Sequence, residues 1–175
     1  SVLIEEKNSS HILLAEDNPI NQKLAKMMLT KAGYQVETAD TGKKAVDKFM
    51  TSSGKFDLIF MDMQMPEMDG IEATHRIREW EEKVIAKGQS PNAESSDQNP
   101  ALFQENFSIV NRQSSIKRVP IVALTASAIK GDMEKCLESG MDDYITKPIN
   151  KKIFFEVIEK WISRNKSSQN SIQPN

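Results

Sequence analysis

Hydrophobic and polar positions along the chain alternate between two rhythms. Ile12 to Ala15, Leu58 to Met61 and Ile121 to Leu124 are continuous apolar runs too short for helices, and they suit strands buried on both faces of a parallel sheet. Between them, apolar residues recur at helical spacing. Pro19 opens a first helix with Asn18 as its cap, placing Ile20, Leu24, Met27 and Met28 on one face as far as about Ala32, and Gly33 stops it. Gln35 to Ala39 reads as a second strand, and Thr41 starts a helix with Ala45, Val46, Phe49 and Met50 as its apolar stripe. The third strand ends at Asp62, and a helix from about Gly70 carries Ile71, Thr74, Ile77 and Arg78. A fourth strand ends on Thr125, and a helix from about Lys130 to Ser139 stops before Gly140. Tyr144 to Thr146 form a short fifth strand that delivers Lys147 and Pro148. The last helix, capped by Asn150, has Ile153, Val157, Ile158, Trp161 and Ile162 on its stripe. This βα rhythm, repeated with apolar strands, predicts a parallel sheet covered on both faces.

The rhythm fails between about residues 88 and 118, where Ser, Asn, Gln and Glu dominate and Pro91 and Pro100 intervene. So long a stretch inside one domain reads as an insertion between the third helix and the fourth strand. Within it, Leu102, Phe103, Phe107, Ile109 and Val110 could form a short amphipathic segment that docks elsewhere. The expected organisation is a tail over 1–10, one domain over 11–163 with this insertion, and a second tail over 164–175.

Composition narrows the function classes. The 175 residues carry 23 basic and 25 acidic side chains, a net charge of -2, which gives no electrostatic footprint for nucleic acid or an anionic membrane. No apolar run approaches the roughly 20 residues of a membrane span. The single cysteine, Cys136, excludes an internal disulfide framework and, lying near Met133 and Leu137, is expected to pack; a cytoplasmic location fits. Neither a GxGxxG nor a GxxxxGKS loop occurs, which weakens a nucleotide-binding reading.

Candidate chemistry gathers at strand ends. In an open α/β sheet ligands bind beyond the carboxyl ends of the strands, and those positions hold Glu16 and Asp17, Asp62, Thr125 and Lys147. Asp62 alone could equally be a turn cap. Crowded carboxylates repel unless a cation neutralises them. Mg²⁺ is the natural occupant, since it takes carboxylates, a carbonyl and waters and leaves room for a phosphoryl oxygen; Mn²⁺ is its substitute. With a lysine and a hydroxyl added, the set suits phosphoryl transfer, which needs positioning and charge neutralisation. His75 on a helix and His11 at a strand edge read as surface residues.

The segments ILLAEDNPINQ, FMDMQMPEMDG, PIVALTASA and DDYITKPI resemble the signature segments of the receiver (CheY-like) domain of two-component response regulators. The Glu-Asp-Asn and MDMQMP wording is most similar to receivers of hybrid sensor histidine kinases. The resemblance implies a flavodoxin-like, doubly wound, five-stranded sheet of order 2-1-3-4-5. It implies that Asp62 is the phosphoacceptor; that Glu16, Asp17, Asp62 and the backbone carbonyl of Gln64 hold Mg²⁺; and that Lys147, followed by a cis peptide to Pro148, contacts the phosphoryl oxygens. Thr125 and Tyr144 would be the switch pair, with simple packing as the alternative for Tyr144.

The implied partners are a histidine kinase phosphodonor domain, a histidine phosphotransfer protein, or both, with no nucleic-acid or membrane contact by this chain. The first helix should show a partner face beside the site. Catalysis would be limited to the domain's own phosphorylation and dephosphorylation. The polar ends and motif wording favour the C-terminal receiver of a hybrid kinase, whose parent protein could be membrane-anchored, over a stand-alone regulator. Two rivals are a Mg²⁺-dependent phosphohydrolase with Asp62 as nucleophile, disfavoured because Gln64 stands where a second acid is wanted, and a flavodoxin-like cofactor binder, disfavoured by Glu16 and Asp17 in the first turn.

Overall fold

The computed structural model describes residues 10–52, 55–88, 118–127 and 129–170. Five strands, β1 (His11–Ala15), β2 (Gln35–Ala39), β3 (Leu58–Asp62), β4 (Ile121–Thr125) and β5 (Asp143–Thr146), alternate with helices α1 (Pro19–Lys31), α2 (Gly42–Thr51), α3 (Gly70–Gly88), α4 (Lys130–Glu138) and α5 (Lys151–Asn170). All strand pairs are parallel, in the order β2-β1-β3-β4-β5. The expected sheet and its order are therefore present.

Continuous apolar runs are needed because each central strand feeds two cores at once. Ile12, Leu14, Leu58, Phe60, Val122 and Leu124 point to the side covered by α1 and α5, where Phe60 meets Phe154 with ring centroids 4.7 Å apart. Their neighbours Leu13, Ile59, Met61, Ile121 and Ala123 point to the side of α2, α3 and α4, with Val46, Phe49, Ile77 and Cys136. Residues i and i+2 of a strand share a face, so a run of five consecutive apolar residues fills both layers. Edge strand β2 is only partly covered, and its sequence QVETA carries polar residues where the central strands are apolar.

The helix ends follow the local chemistry. Asn18 Oδ1 accepts from the amides of Ile20 and Asn21, Thr41 Oγ1 from Lys44, Asp69 Oδ1 from Glu72, and Asn150 Oδ1 from Lys152 and Ile153. Thr41 is thus the cap of α2 rather than its first residue. Gly140, at φ 95°, turns the chain out of α4.

The helices divide into buried and exposed lines differently from what spacing alone suggests. The apolar face of α1 is not core: Ile20, Leu24 and Met27 are 75, 48 and 45 % exposed, while Ala25 and Leu29 face the sheet. In α5 the buried line is Phe154, Ile158 and Ile162, at i, i+4 and i+8, which leaves Ile153 outside it and exposed. That helix also continues to Asn170, into the stretch expected to be a tail. The docking segment around Phe103 and Phe107 lies outside the described residues, as does most of the insertion.

A buried ionic cluster joins α3 to the chain at the start of β4. Arg78 donates to Glu81 Oε2 (2.7 Å), Asp142 Oδ2 (2.8 Å) and the carbonyls of Gly140 (2.9 Å) and Val119 (2.8 Å), while Glu81 Oε1 accepts the Val119 amide at 2.7 Å. Arg118 adds bonds to Asp142 and the Gly140 carbonyl. The third helix is thereby tied to the chain where it returns into β4, at the end of the sheet opposite the carboxyl rim.

Candidate functional site

Parallel register decides which residues meet. Ala15 pairs with Met61, Asp62 with Leu124, and Thr125 with Thr146, so Glu16, Asp62, Thr125 and Lys147 arrive side by side at one rim. The rim is fixed by backbone bonds just past the strands: the Glu16 amide donates to Ala39 (3.0 Å), that of Met63 to Leu124 (3.0 Å) and that of Lys147 to Thr125 (2.7 Å). A cleft of about 500 Å³ opens above it, lined by Glu16, Asp17, Asp62, Thr125, Lys147 and, among others, Asn21. Gly70 lets α3 start directly behind the acid, because a Cβ there would collide with the Asp62 carbonyl.

Lys147 stands at the centre. Its Nζ is 2.7 Å from Asp62 Oδ2 and 2.8 Å from Glu16 Oε2, and its peptide to Pro148 is cis. The other Asp62 oxygen, Oδ1, accepts the Gln64 amide at 3.1 Å, so Asp62 caps its own turn and also faces the ammonium. Burial pushes the Asp62 carboxyl above its ordinary range, aided by the nearby Glu16 charge, while Lys147 and the Gln64 amide pull against it. Lys147 is shifted upward: burial works against its charge, but contacts with Asp62 and Glu16 outweigh it.

A divalent cation fits the donor set. One oxygen each from Glu16, Asp17 and Asp62 can be chosen so that all lie within 4.8 Å of one another. Glu16 is buried, yet its Oε2 has no hydrogen-bond donor, because the approach of Lys147 lies outside hydrogen-bonding geometry. Buried carboxylate oxygens are normally satisfied, and hard oxygen ligands in a group of three are what Mg²⁺ takes. Asp17 is exposed at the mouth, and Gln64 lies on the cleft wall.

The remaining predicted residues are less tightly grouped. Thr125 lines the cleft, but its hydroxyl exchanges bonds with Ser127, accepting from the amide (3.2 Å) and donating to the carbonyl (3.1 Å). Tyr144 does not line the cleft; it is half-buried against the core on the side of α2, α3 and α4. Cys136 is buried with its Sγ 3.5 Å from Met63 Sδ, as packing requires.

The sequence reading left the first turn of α1 without a role in the site. Asn18 donates its amide to Glu16 Oε1 (3.2 Å), the Asn21 side chain approaches the same oxygen at 3.4 Å, and Gln22 Nε2 reaches the Glu16 carbonyl at 2.8 Å. The only signal was their presence in the quoted motif.

A family model described as "Response regulator receiver domain" matches residues 12–102. This chain belongs to that family. The receiver is 42 % identical over 164 residues to hybrid signal transduction histidine kinase I of Dictyostelium discoideum, covering 90 % of this chain and 8 % of that protein. It is 34 % identical over 159 residues to histidine kinase 2 of Arabidopsis thaliana, covering 91 % and 12 %. The chain thus spans only a small part of these curated relatives.

Among solved structures, the Saccharomyces cerevisiae complex of the histidine phosphotransfer protein Ypd1 with the receiver domain of its downstream response regulator matches at TM-score 0.70 and 33 % identity, over 90 % of this chain and 91 % of that one. A receiver of a Pseudomonas aeruginosa sensor histidine kinase, with a magnesium ion coordinated in its active site cleft, matches at TM-score 0.63 and 33 % identity, over 89 % and 98 %. The receiver is accordingly a domain of two-component signalling, and among its described residues no helix is long and apolar enough to cross a membrane.

Proposed function

We propose that this receiver takes a phosphoryl group from a phosphohistidine onto Asp62, then passes it to a histidine phosphotransfer protein or loses it to water. The observation that carries this is Lys147 Nζ lying within 2.8 Å of both Asp62 and Glu16 at the rim. Asp62 attacks phosphorus in line; the bond from phosphorus to the imidazole nitrogen breaks, the donor histidine leaves, and an acyl phosphate forms. Asp62 must be ionised to attack, and Lys147 with the Gln64 amide opposes the effect of burial. Glu16, Asp17, Asp62 and the carbonyl of Gln64 would hold Mg²⁺, with Mn²⁺ as a substitute, and the ion supplies charge neutralisation for the phosphoryl oxygens.

Phosphorylation adds roughly one to two negative charges at Asp62 and biases a pre-existing equilibrium. Lys147 is placed to follow the new charge. Thr125 exchanges Ser127 for a phosphoryl oxygen, and Tyr144 on β5 transmits the change. α4 is suited to respond: its N-cap residue, Ile129, makes no side-chain cap bond, and Cys136 is its one buried residue.

The partner surface is the exposed face of α1, where Ile20, Leu24 and Met27 lie beside the cleft. Partners of the relatives point to a phosphotransfer protein or a kinase phosphodonor domain as occupant. The similarity to hybrid kinases supports an origin as the receiver of such a protein, with a cytoplasmic setting in keeping with the lone buried thiol.

Incubation with acetyl phosphate should give Mg²⁺-dependent, hydroxylamine-labile labelling that chelation stops and Asp62→Asn abolishes. Labelling of native protein no better than that of Asp62→Asn would sink the reading.

A further inference from the structure

We infer that Gln22 is a positioning residue of the metal site, acting through the backbone of Glu16. Its carboxamide nitrogen donates to two carbonyls on adjacent strands, 2.8 Å to Glu16 and 3.2 Å to Ala39. Those carbonyls flank the last sheet bond of this pair, in which the Glu16 amide donates to Ala39 at 3.0 Å. A single side chain therefore clips the point where β1 stops and the acidic pair begins. Both protons of the amide nitrogen are needed, one for each carbonyl, and among neutral side chains only Asn and Gln offer them.

The clip matters because the side-chain contacts to the acids from the α1 side are long ones. Asp17 is exposed. The Glu16 carboxylate receives the Asn18 amide and the Asn21 side chain only at 3.2 and 3.4 Å, both on Oε1, while Oε2 meets the Lys147 ammonium at 2.8 Å from the opposite side of the cleft. The Glu16 backbone fixes where both acidic side chains start, Lys147 fixes only the far end of one of them, and a divalent ion with strict octahedral demands is sensitive to that placement. Partners that orient ligands typically change metal affinity by about 10-fold to 100-fold, and Gln22, one bond-step further removed, belongs at the lower end.

Gln22 touches neither Asp62 nor Lys147 through any described hydrogen bond. Its removal should therefore weaken ion binding without altering the nucleophile.

This inference rests on the proposed metal role of Glu16 and Asp17, and the experiment separates the two. Gln22→Met keeps length and helix propensity but removes both donors. Mg²⁺ is titrated into wild type, Gln22→Met and Asp62→Asn, following amide chemical shifts of the unphosphorylated protein, and acetyl phosphate labelling is measured against Mg²⁺ concentration. The expected result is a Mg²⁺ dissociation constant raised about 10-fold in Gln22→Met, a melting temperature in chelator close to wild type, and a labelling rate that recovers fully at saturating Mg²⁺. Faster hydrogen exchange at the Glu16 amide, which donates to Ala39, provides a second readout. A dissociation constant within about twofold of wild type, whatever happens to stability, overturns the role of Gln22. Absence of Mg²⁺ binding by wild type overturns the metal site itself.

Discussion

Lys147 Nζ sits 2.7 Å from Asp62 Oδ2 and only 21 % of its side chain is exposed, so the ammonium holds two nearly buried carboxylates, those of Asp62 and Glu16, next to each other. Removing one member of a buried ionic group leaves its partners uncompensated. Lys147→Met should lower stability in chelator by on the order of 2 kcal/mol and make stability depend more steeply on Mg²⁺ than in wild type. Thermal unfolding with and without Mg²⁺ checks this; equal Mg²⁺ stabilisation of the two proteins would count against it.

Arg78 is a second cation held in a buried ionic cluster. Arg78→Met leaves the buried Glu81 with the Val119 amide in place of a cation, while Asp142 keeps Arg118 and the Ile121 amide, and it should cost roughly 3 kcal/mol in chemical denaturation. Arg78→Lys should recover little, because an ammonium cannot span the guanidinium's fork of acceptors. The double variant Arg78→Met with Glu81→Met should be more stable than Arg78→Met alone.

Asp143 gives the protein an acid-sensitive contact away from the cleft. Burial raises its pKa, but bonds from Lys160 (2.6 Å) and Trp161 Nε1 (3.0 Å), with the Tyr144 amide, outweigh it and hold the carboxyl below its ordinary 3.8. A depressed folded pKa stabilises above the unfolded value and is lost as pH falls through the folded one. The stability gap between wild type and Asp143→Asn should therefore be constant near neutrality and shrink below about pH 4. Urea unfolding across that range tests it, and a gap independent of pH would contradict the assignment.

Glu67 is the one described residue other than glycine with positive φ, 65°, in a tight turn closed by the Met68 amide on the Pro66 carbonyl at 2.7 Å. Side chains with a Cβ are disfavoured there. Glu67→Gly should stabilise by about 0.5–1 kcal/mol, with Asn close behind, measured by equilibrium unfolding. A destabilised Glu67→Gly would show that its side chain makes compensating contacts.

Much of the fold was legible because burial on two faces writes itself as uninterrupted apolar strands, and because caps such as Asn18 and Asn150 carry their own chemistry. The grouping of Glu16, Asp62, Thr125 and Lys147 followed from parallel register, which places strand ends at one level. Spacing alone could not say which side of a helix faces the sheet when both sides are apolar: Ile20, Leu24 and Met27 look as core-like as Ala25 and Leu29. Phe154 was hidden beside Ile153 for the same reason. Arg78 was visible on the stripe of its helix, but its partners Asp142 and Val119 are distant in sequence, and Gln22 binds carbonyls, which leave no mark on residue type.

The clamp of Arg78 and Glu81 on Val119 also makes the third crossover a natural port in the molecule. The chain re-enters β4 at the end of the sheet opposite the acidic cleft, with its returning strand already seated by side chains of α3. The seat of β4 therefore rests on α3 and on the turn before β5. For a protein engineer, the span between Gly88 and Arg118 is the place to splice in a reporter or a foreign domain while leaving the cleft and α1 free.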